Sequence, residues 1–428
     1  MWLYIIAVCA GVTCSYCLLS IWKKKLFSGD NNSNKLKICF VHPDLGIGGA
    51  ERLVIDASIA CKKLGLHVTI YTSHHDKDHC FQETKDGSLE VFVYGDWIPR
   101  QFCRKFHALF AYIRFCYLST LLLFKESYDY YFCDQISASL PILKLTNKKI
   151  IFYCHFPDQL LTQRRTLFKR LYRFLIDRLE EYTMGYASTL LVNSNFTKSV
   201  FKKTFPTLTH LEPKVLYPSI NLEIFKNVKE QSLEFIPDSA RTVFLSLNRY
   251  ERKKKVELAI KILVELKEKL EPVNWKGVHL IIAGGYDKRI IENVEYFEEL
   301  VLLAERNSVG GHITFLRSVS HSTKFALFKS CDCLLYTPDE EHFGIGPLEA
   351  MLMKKMVIAK NSGGPVETVE NGVTGFLCGD DASSWSEVIM ENIFNKNRSS
   401  EMGEAGYQRF QHLFSFNRFT EELKTILL

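Results

Sequence analysis

The chain has 428 residues, 47% of them hydrophobic and 24% charged, with a formal net charge of +6. Two globular domains of ordinary size are the expectation for that length. The mild positive balance suits an anionic substrate or membrane surface, and without zinc-finger spacing or an aromatic RNA-binding signature no nucleic-acid partner is expected.

The first element is Trp2 to Trp22, uncharged and mostly apolar. At 1.5 Å per residue such a helix spans roughly 31 Å, one bilayer core. Lys23-Lys24-Lys25 follow at once. The positive-inside bias puts them in the cytosol, and a cleaved signal peptide would carry its charge before the apolar stretch. Residues 1–25 are therefore read as a transmembrane anchor with a basic flank, and 26–35 as a polar tether. The 13 cysteines are odd in number and scattered through apolar runs, which fits buried thiols in a reducing compartment.

Leu36 to Val41 reads as a buried strand. Leu45-Gly46-Ile47-Gly48-Gly49 turns it into a helix from Glu51 to Lys63, and Val68 to Tyr71 is the next strand. This is the opening of a doubly wound α/β domain. Phe106 to Phe124 is apolar with Arg114 in its middle, and a central Arg is costly in a spanning helix. A helix packed on the first sheet, or one lying at the membrane interface, is expected there. Arg164 to Arg173 mixes cations with aromatics, as either a solvated helix face or a contact for anionic lipid groups.

The pattern restarts at Val243 to Leu247, followed by a helix from Val256 to Glu268 and strands at Val278 to Ala283 and Ile313 to Phe315. The fold class is thus α/β, with two Rossmann-like domains at 36–215 and 216–428. The last helix is a candidate to cross back to the first domain. A cleft between such halves is the default site.

Four stretches carry chemistry. Glu341-His342-Phe343-Gly344-Ile345-Gly346-Pro347-Leu348-Glu349 places two carboxylates around a glycine turn that opens a helix, after the apolar strand Cys333 to Tyr336. Free N–H groups of Phe343, Gly344 and Ile345 favour a phosphate. Glu349 lies roughly 12 Å further along the axis. That separation suits a nucleotide-sugar, with a hydroxyl-rich ring at each end of a pyrophosphate. Arg249 to Lys255 follows a strand, where Arg249 and Lys254 could stabilise a departing nucleoside diphosphate. The Gly46/Gly48/Gly49 loop lacks the G-x-G-x-x-G spacing of a dehydrogenase, yet lets backbone approach a ligand. His155 ends the strand Ile150 to Tyr153, where it could meet a sugar or serve structurally. His74 to Cys80 has metal-like residue types, but its neighbours are too crowded to converge, so no metal is expected.

Together, His42 to Leu53, Tyr153 to Asp158, Asn248 to Lys254 and the Glu341–Glu349 run with Asn361-Ser362-Gly363-Gly364-Pro365 resemble the family 4 glycosyltransferases of GT-B fold. The likeness is greatest to the mannosyltransferases of dolichol-linked oligosaccharide synthesis. It covers roughly Lys37 to the C-terminus. The resemblance implies two domains facing a central cleft and retaining transfer without a cofactor. GDP-mannose would be the donor and mannosyl-chitobiosyl-pyrophosphoryl-dolichol the acceptor, taking an α-1,3 and then an α-1,6 mannose at the cytosolic face of the endoplasmic reticulum. It further implies contact with membrane lipids and a complex with neighbouring enzymes of the same pathway. Arg249 and Lys254 would hold the pyrophosphate, Glu341 the mannose and Glu349 the ribose. His155 would position the mannose, and Gly48 and Gly49 would lie near the reacting centre. Gly346 and Lys255 depart from the family pattern, at positions that usually hold a larger apolar and a small or polar residue. The rivals are another lipid-linked sugar transferase of this fold, such as the phosphatidylinositol N-acetylglucosaminyltransferase subunit, and a silent membrane scaffold.

Overall fold

The computed structural model describes residues 35–101, 106–162, 166–220, 235–394 and 396–428. The expected anchor and nearly all of the tether lie outside the described residues, as do Arg164 and Arg165. Among the described residues no helix is long and apolar enough to cross a membrane. Contacts divide the chain into two units. The first takes the described residues up to Asn193, with Thr197–Tyr217 and Phe419–Leu428. The second takes Ser194–Phe196 and Pro218–Arg418.

The first unit is built on seven parallel strands: β1 (Lys37–His42), β2 (His67–Thr72), β3 (Glu90–Val93), β4 (Tyr130–Asp134), β5 (Lys149–Cys154), β6 (Thr189–Val192) and β7 (Lys214–Val215). Their order across the sheet is β3-β2-β1-β4-β5-β6-β7. Runs such as Ile38-Cys39-Phe40-Val41 and Ile150-Ile151-Phe152-Tyr153 are buried throughout, because helices cover both faces of a parallel sheet. The helix His107–Leu122 packs Phe115, Leu118 and Leu122 into this core. Each such side chain contributes about 1.5–3 kcal/mol on burial. This is the packed alternative for the apolar segment around Arg114. The terminal helix Phe416–Leu427 reaches the first unit, where the Leu427 carbonyl accepts from the Tyr130 hydroxyl at 2.7 Å.

The second unit has six parallel strands: β8 (Thr242–Leu247), β9 (Val278–Gly284), β10 (Ile313–Arg317), β11 (Cys333–Tyr336), β12 (Met356–Lys360) and β13 (Gly375–Cys378). Their order is β10-β9-β8-β11-β12-β13. Both sheets reverse their winding direction once, between β1 and β4 in the first and between β8 and β11 in the second. Ligands of doubly wound sheets bind outside the carboxyl ends of strands at such a reversal.

Candidate functional site

In the first unit the reversal brings His42, at the end of β1, against Asp134, at the end of β4. Asp134 Oδ1 lies 2.7 Å from His42 Nδ1, and both side chains are buried. The other ring nitrogen, Nε2, donates to the carbonyl of Asp44 at 2.9 Å. A neutral imidazole has only one N–H, so two acceptors require His42 to be an imidazolium. Burial opposes that charge. The Asp134 carboxylate and its hydrogen bond, aided by Glu51, outweigh burial and raise His42 from 6.5 to about 10. Burial likewise works against the charge of Asp134, but His42 and the hydrogen bonds from two histidines hold its pKa below the usual range.

The second histidine is His155, just past β5. Its Nε2 sits 3.0 Å from Asp134 Oδ2. An ionised carboxylate only accepts, so Nε2 carries the hydrogen. With Nε2–H so engaged, Nδ1 is the ring nitrogen left to meet a hydroxyl. His155 thus ends a His42–Asp134–His155 chain of contacts. Gly48 caps the helix Gly49–Lys63 in an extended conformation. A Cβ there would lie 2.3 Å from the Glu51 carboxylate, so glycine lets Glu51 stay beside His42, at 3.7 Å.

In the second unit the reversal joins the loops after β8 and β11. Lys254, closing the short helical turn Arg252–Lys254, forms an ion pair with Glu341. The Thr337 hydroxyl fixes the Lys254 carbonyl at 2.8 Å. Glu349 lies on the helix Ile345–Leu352 and pairs with Lys324 at 2.5 Å. Gly344 caps that helix at φ 84°. The Ser362-Gly363-Gly364-Pro365 turn packs its backbone against the Glu341 loop. Gly364 N donates to the Glu341 carbonyl at 2.7 Å, and a Cβ on Gly363 would sit 2.4 Å from the same oxygen. These glycines thus hold the loop that carries Glu341.

Both family departures acquire a physical account. Tyr336, ending β11, is buried with its ring against Gly344 and Gly346, and a Cβ on Gly346 would come within 2.9 Å of that ring. The tyrosine fills the space that a larger residue at 346 would take. Lys255 adopts a left-handed conformation (φ 48°, ψ 41°), which favours small residues, and its ammonium pairs with Asp339 at 2.6 Å.

The sequence-predicted residues are thus grouped unevenly. Lys254 and Glu341 meet. Glu349 takes Lys324 as its partner, and Arg249 is exposed and turned to Glu251 at 2.9 Å. His42, Asp134 and Lys324 had no role in the sequence reading. The signal for Asp134 was a lone carboxylate closing an apolar strand. His74 and His75 turn to separate partners, Asp96 and Thr84. Among the described residues no cluster of His, Cys, Asp or Glu is arranged to hold a metal ion.

Two doubly wound parallel units, the second carrying paired carboxylates at its strand reversal, define a GT-B glycosyltransferase. Residues 47–224 match the family model described as Glycosyltransferase Family 4, and 228–409 the one described as Glycosyl transferases group 1. Among solved structures, sucrose-phosphate synthase from Thermosynechococcus elongatus superposes with a TM-score of 0.71 at 17% identity, covering 92% of this chain and 98% of that one. HepE from Anabaena in complex with UDP gives 0.67 at 18% identity, covering 92% and 99%. Among curated proteins, Alpha-1,3/1,6-mannosyltransferase ALG2 of Homo sapiens is 48% identical over 396 residues, 91% of this chain and 95% of that protein. Its namesake in Rhizomucor pusillus is 44% identical, covering 92% of each chain. The chain belongs to the α-1,3/1,6-mannosyltransferase family, within glycosyltransferase family 4.

Proposed function

We propose that the protein is a retaining mannosyltransferase of N-glycan precursor assembly. It moves mannose from GDP-mannose to Man-GlcNAc2-pyrophosphoryl-dolichol, making the α-1,3 and then the α-1,6 linkage. The observation that carries the mechanism is the Lys254–Glu341 pair at the strand reversal, with Glu349 on the adjoining helix. Lys254 and Arg249 take the donor pyrophosphate, supported by the backbone of Phe343, Gly344 and Ile345. Glu341 binds the transferred mannose and Glu349 the ribose. The acceptor hydroxyl attacks C1 on the face from which GDP departs. The bond between C1 and the β-phosphate oxygen breaks with its electron pair on phosphate, and that phosphate takes the hydroxyl proton. Arg249 and Lys254 stabilise the charge that develops there. His155 accepts from a mannose hydroxyl through Nδ1, and Gly48 and Gly49 lie near the reacting centre.

The protein works at the cytosolic face of the endoplasmic reticulum, associated with neighbouring enzymes of the pathway. The helix Leu167–Met184 supports lipid contact. Leu167, Phe168, Leu171, Leu175 and Tyr182 are exposed along it, beside Lys169, Arg170 and Arg178. Product analysis with a synthetic lipid acceptor and labelled GDP-mannose tests the assignment. Transfer from UDP-N-acetylglucosamine instead would favour the phosphatidylinositol-directed relative of this fold, and failure to bind either nucleotide would favour a scaffold.

A further inference from the structure

A cavity of about 210 Å³ opens on the first unit, lined by Asp44, Ser73, Arg100, His107 and Arg114 among others. Arg114 is the unexpected member, a guanidinium only 6% exposed in the middle of an apolar helix. Its Nε donates to the Gly95 carbonyl at 3.3 Å. Nη2 donates to the Ser73 carbonyl at 2.6 Å and to Asp96 at 3.1 Å. Among the described residues Nη1 has no acceptor. These bonds tie Arg114 to the loops after β2 and β3, and the guanidinium they hold in place is also part of the cavity wall.

The surroundings favour an anion. Arg100 brings a second guanidinium, which among the described residues forms an exposed pair with Asp44 at 3.4 Å. The helix His107–Leu122 begins at the cavity with no acidic residue in its first turn, and among the described residues its first turn is met by a side chain at Leu109 N, which donates to the neutral Tyr172 hydroxyl at 2.9 Å. Two carboxylates face the other way in charge. Asp96 is shared between Arg114 and His74, and Asp44 is the solvated partner of Arg100. Trp97, Leu109 and Ile113, on the same two segments, expose apolar surface. The Asp44 carbonyl is the one that binds His42, so the cavity adjoins the His42–Asp134–His155 chain.

We infer that this cavity is the subsite for the pyrophosphate of a lipid-linked sugar acceptor, with Arg100 and Arg114 as its guanidinium contacts and Trp97, Leu109 and Ile113 as the surface for the lipid. The inference rests on the function proposed above. Guanidinium groups bind phosphate oxygens bidentately, and two of them suit the two phosphates.

The test uses the full chain in detergent micelles, with a short-isoprenoid pyrophosphate bearing the trisaccharide. Arg100→Gln raises the acceptor KM about tenfold, while the GDP-mannose KM and kcat at saturating acceptor stay within about twofold. Arg114→Lys keeps the charge and gives a smaller rise in the same constant, with its melting curve reporting whether the fold survives. The same trisaccharide on an alkyl chain without phosphates shows no difference between wild type and Arg100→Gln. Binding to phosphatidylserine vesicles is unchanged by Arg100→Gln. An unaltered acceptor KM in Arg100→Gln overturns the subsite, as does weakened vesicle binding with a normal KM in micelles. Direct binding of the sugar-free lipid pyrophosphate reads the subsite without turnover. A wild type that binds it through Arg100 but transfers no mannose sinks the functional reading alone.

Discussion

Replacing Asp134 by Asn removes the counter-ion of a buried imidazolium and should make the first unit's stability insensitive to alkaline pH. The magnitude follows from the proton on His42, held from 6.5 up to about 10. At about 1.4 kcal/mol per tenfold in proton affinity, this corresponds to about 5 kcal/mol. Stranding one partner of a buried pair costs about 3–5 kcal/mol by independent reckoning. The sign is fixed by the direction of the shift. A raised folded-state pKa stabilises fully below 6.5, and the contribution fades as pH rises through about 10. At pH 7 about 4 kcal/mol of it remains. Asp134, whose pKa is lowered, contributes stability above the ordinary carboxylate range and loses it as pH falls. The assay is denaturant unfolding of wild type and Asp134→Asn at pH 7, 8.5 and 10, followed by a probe in the first unit. The variant should be about 3–5 kcal/mol weaker at pH 7, with the gap closing towards pH 10. Lysines and tyrosines titrate alike in both proteins and cancel. A gap of equal size at pH 7 and pH 10 refutes the imidazolium, and no gap at pH 7 refutes the whole chain of contacts.

Glu341→Gln should lower kcat with labelled GDP-mannose by about a hundredfold or more while leaving the melting curve nearly unchanged, because Glu341 sits on a surface loop. Arg249→Ala should do the same, since its guanidinium is largely exposed; normal turnover in either would refute its place in the donor site. Lys324→Ala releases Glu349 from its partner, and a severalfold change in the GDP-mannose KM at constant kcat is expected if that carboxylate binds ribose. Gly346→Val should destabilise the second unit by about 1–3 kcal/mol through the clash with Tyr336, and Tyr336→Leu in the same chain should recover most of it. Additive losses in that double-variant cycle would show that the two sites do not compete for one space.

Of the strands that frame the sites, β1, β5, β8 and β11 could be read from sequence because parallel strands buried on both faces appear as unbroken apolar runs, whereas β4, which carries Asp134, was not read. Strands β8, β9 and β11 fall within about a residue of their expected bounds. Strands β3, β7 and β13 lie at the edges of their sheets and are only partly buried, so none presents an unbroken apolar run. Of the site, Glu341, Glu349 and Lys254 were visible as charges beside a glycine turn or a strand end. Lys324, which pairs with Glu349, and the His42–Asp134 pair were not. His42 and Asp134 are 92 positions apart, and Lys324 and Glu349 are 25. Such pairs exist only after the strand order is known, since the reversal between β1 and β4 is what sets His42 beside Asp134. Arg249 marks the opposite limit. Sequence placed it at the correct strand end but could not show its side chain held by Glu251.

The two strand reversals place charge in different settings, and this bears on what each can do. In the first unit the His42–Asp134 pair is sealed from water, so His42 keeps its proton across the neutral range. Such a pair serves to orient: it dictates which nitrogen His155 presents without exchanging protons with solvent. In the second unit Lys254–Glu341 and Lys324–Glu349 are partly open to solvent, and an ion pair in that setting is weak enough to be exchanged. In the proposed donor site an incoming pyrophosphate would take Lys254 from Glu341, freeing the carboxylate for a sugar hydroxyl in the same event. Under the function proposed above, the cation would then face the pyrophosphate and the acid the mannose next to it. The cost of parting the pair would be met best by a ligand that supplies both an anion and a hydroxyl, which would favour a nucleotide-sugar over a free nucleotide or a free sugar.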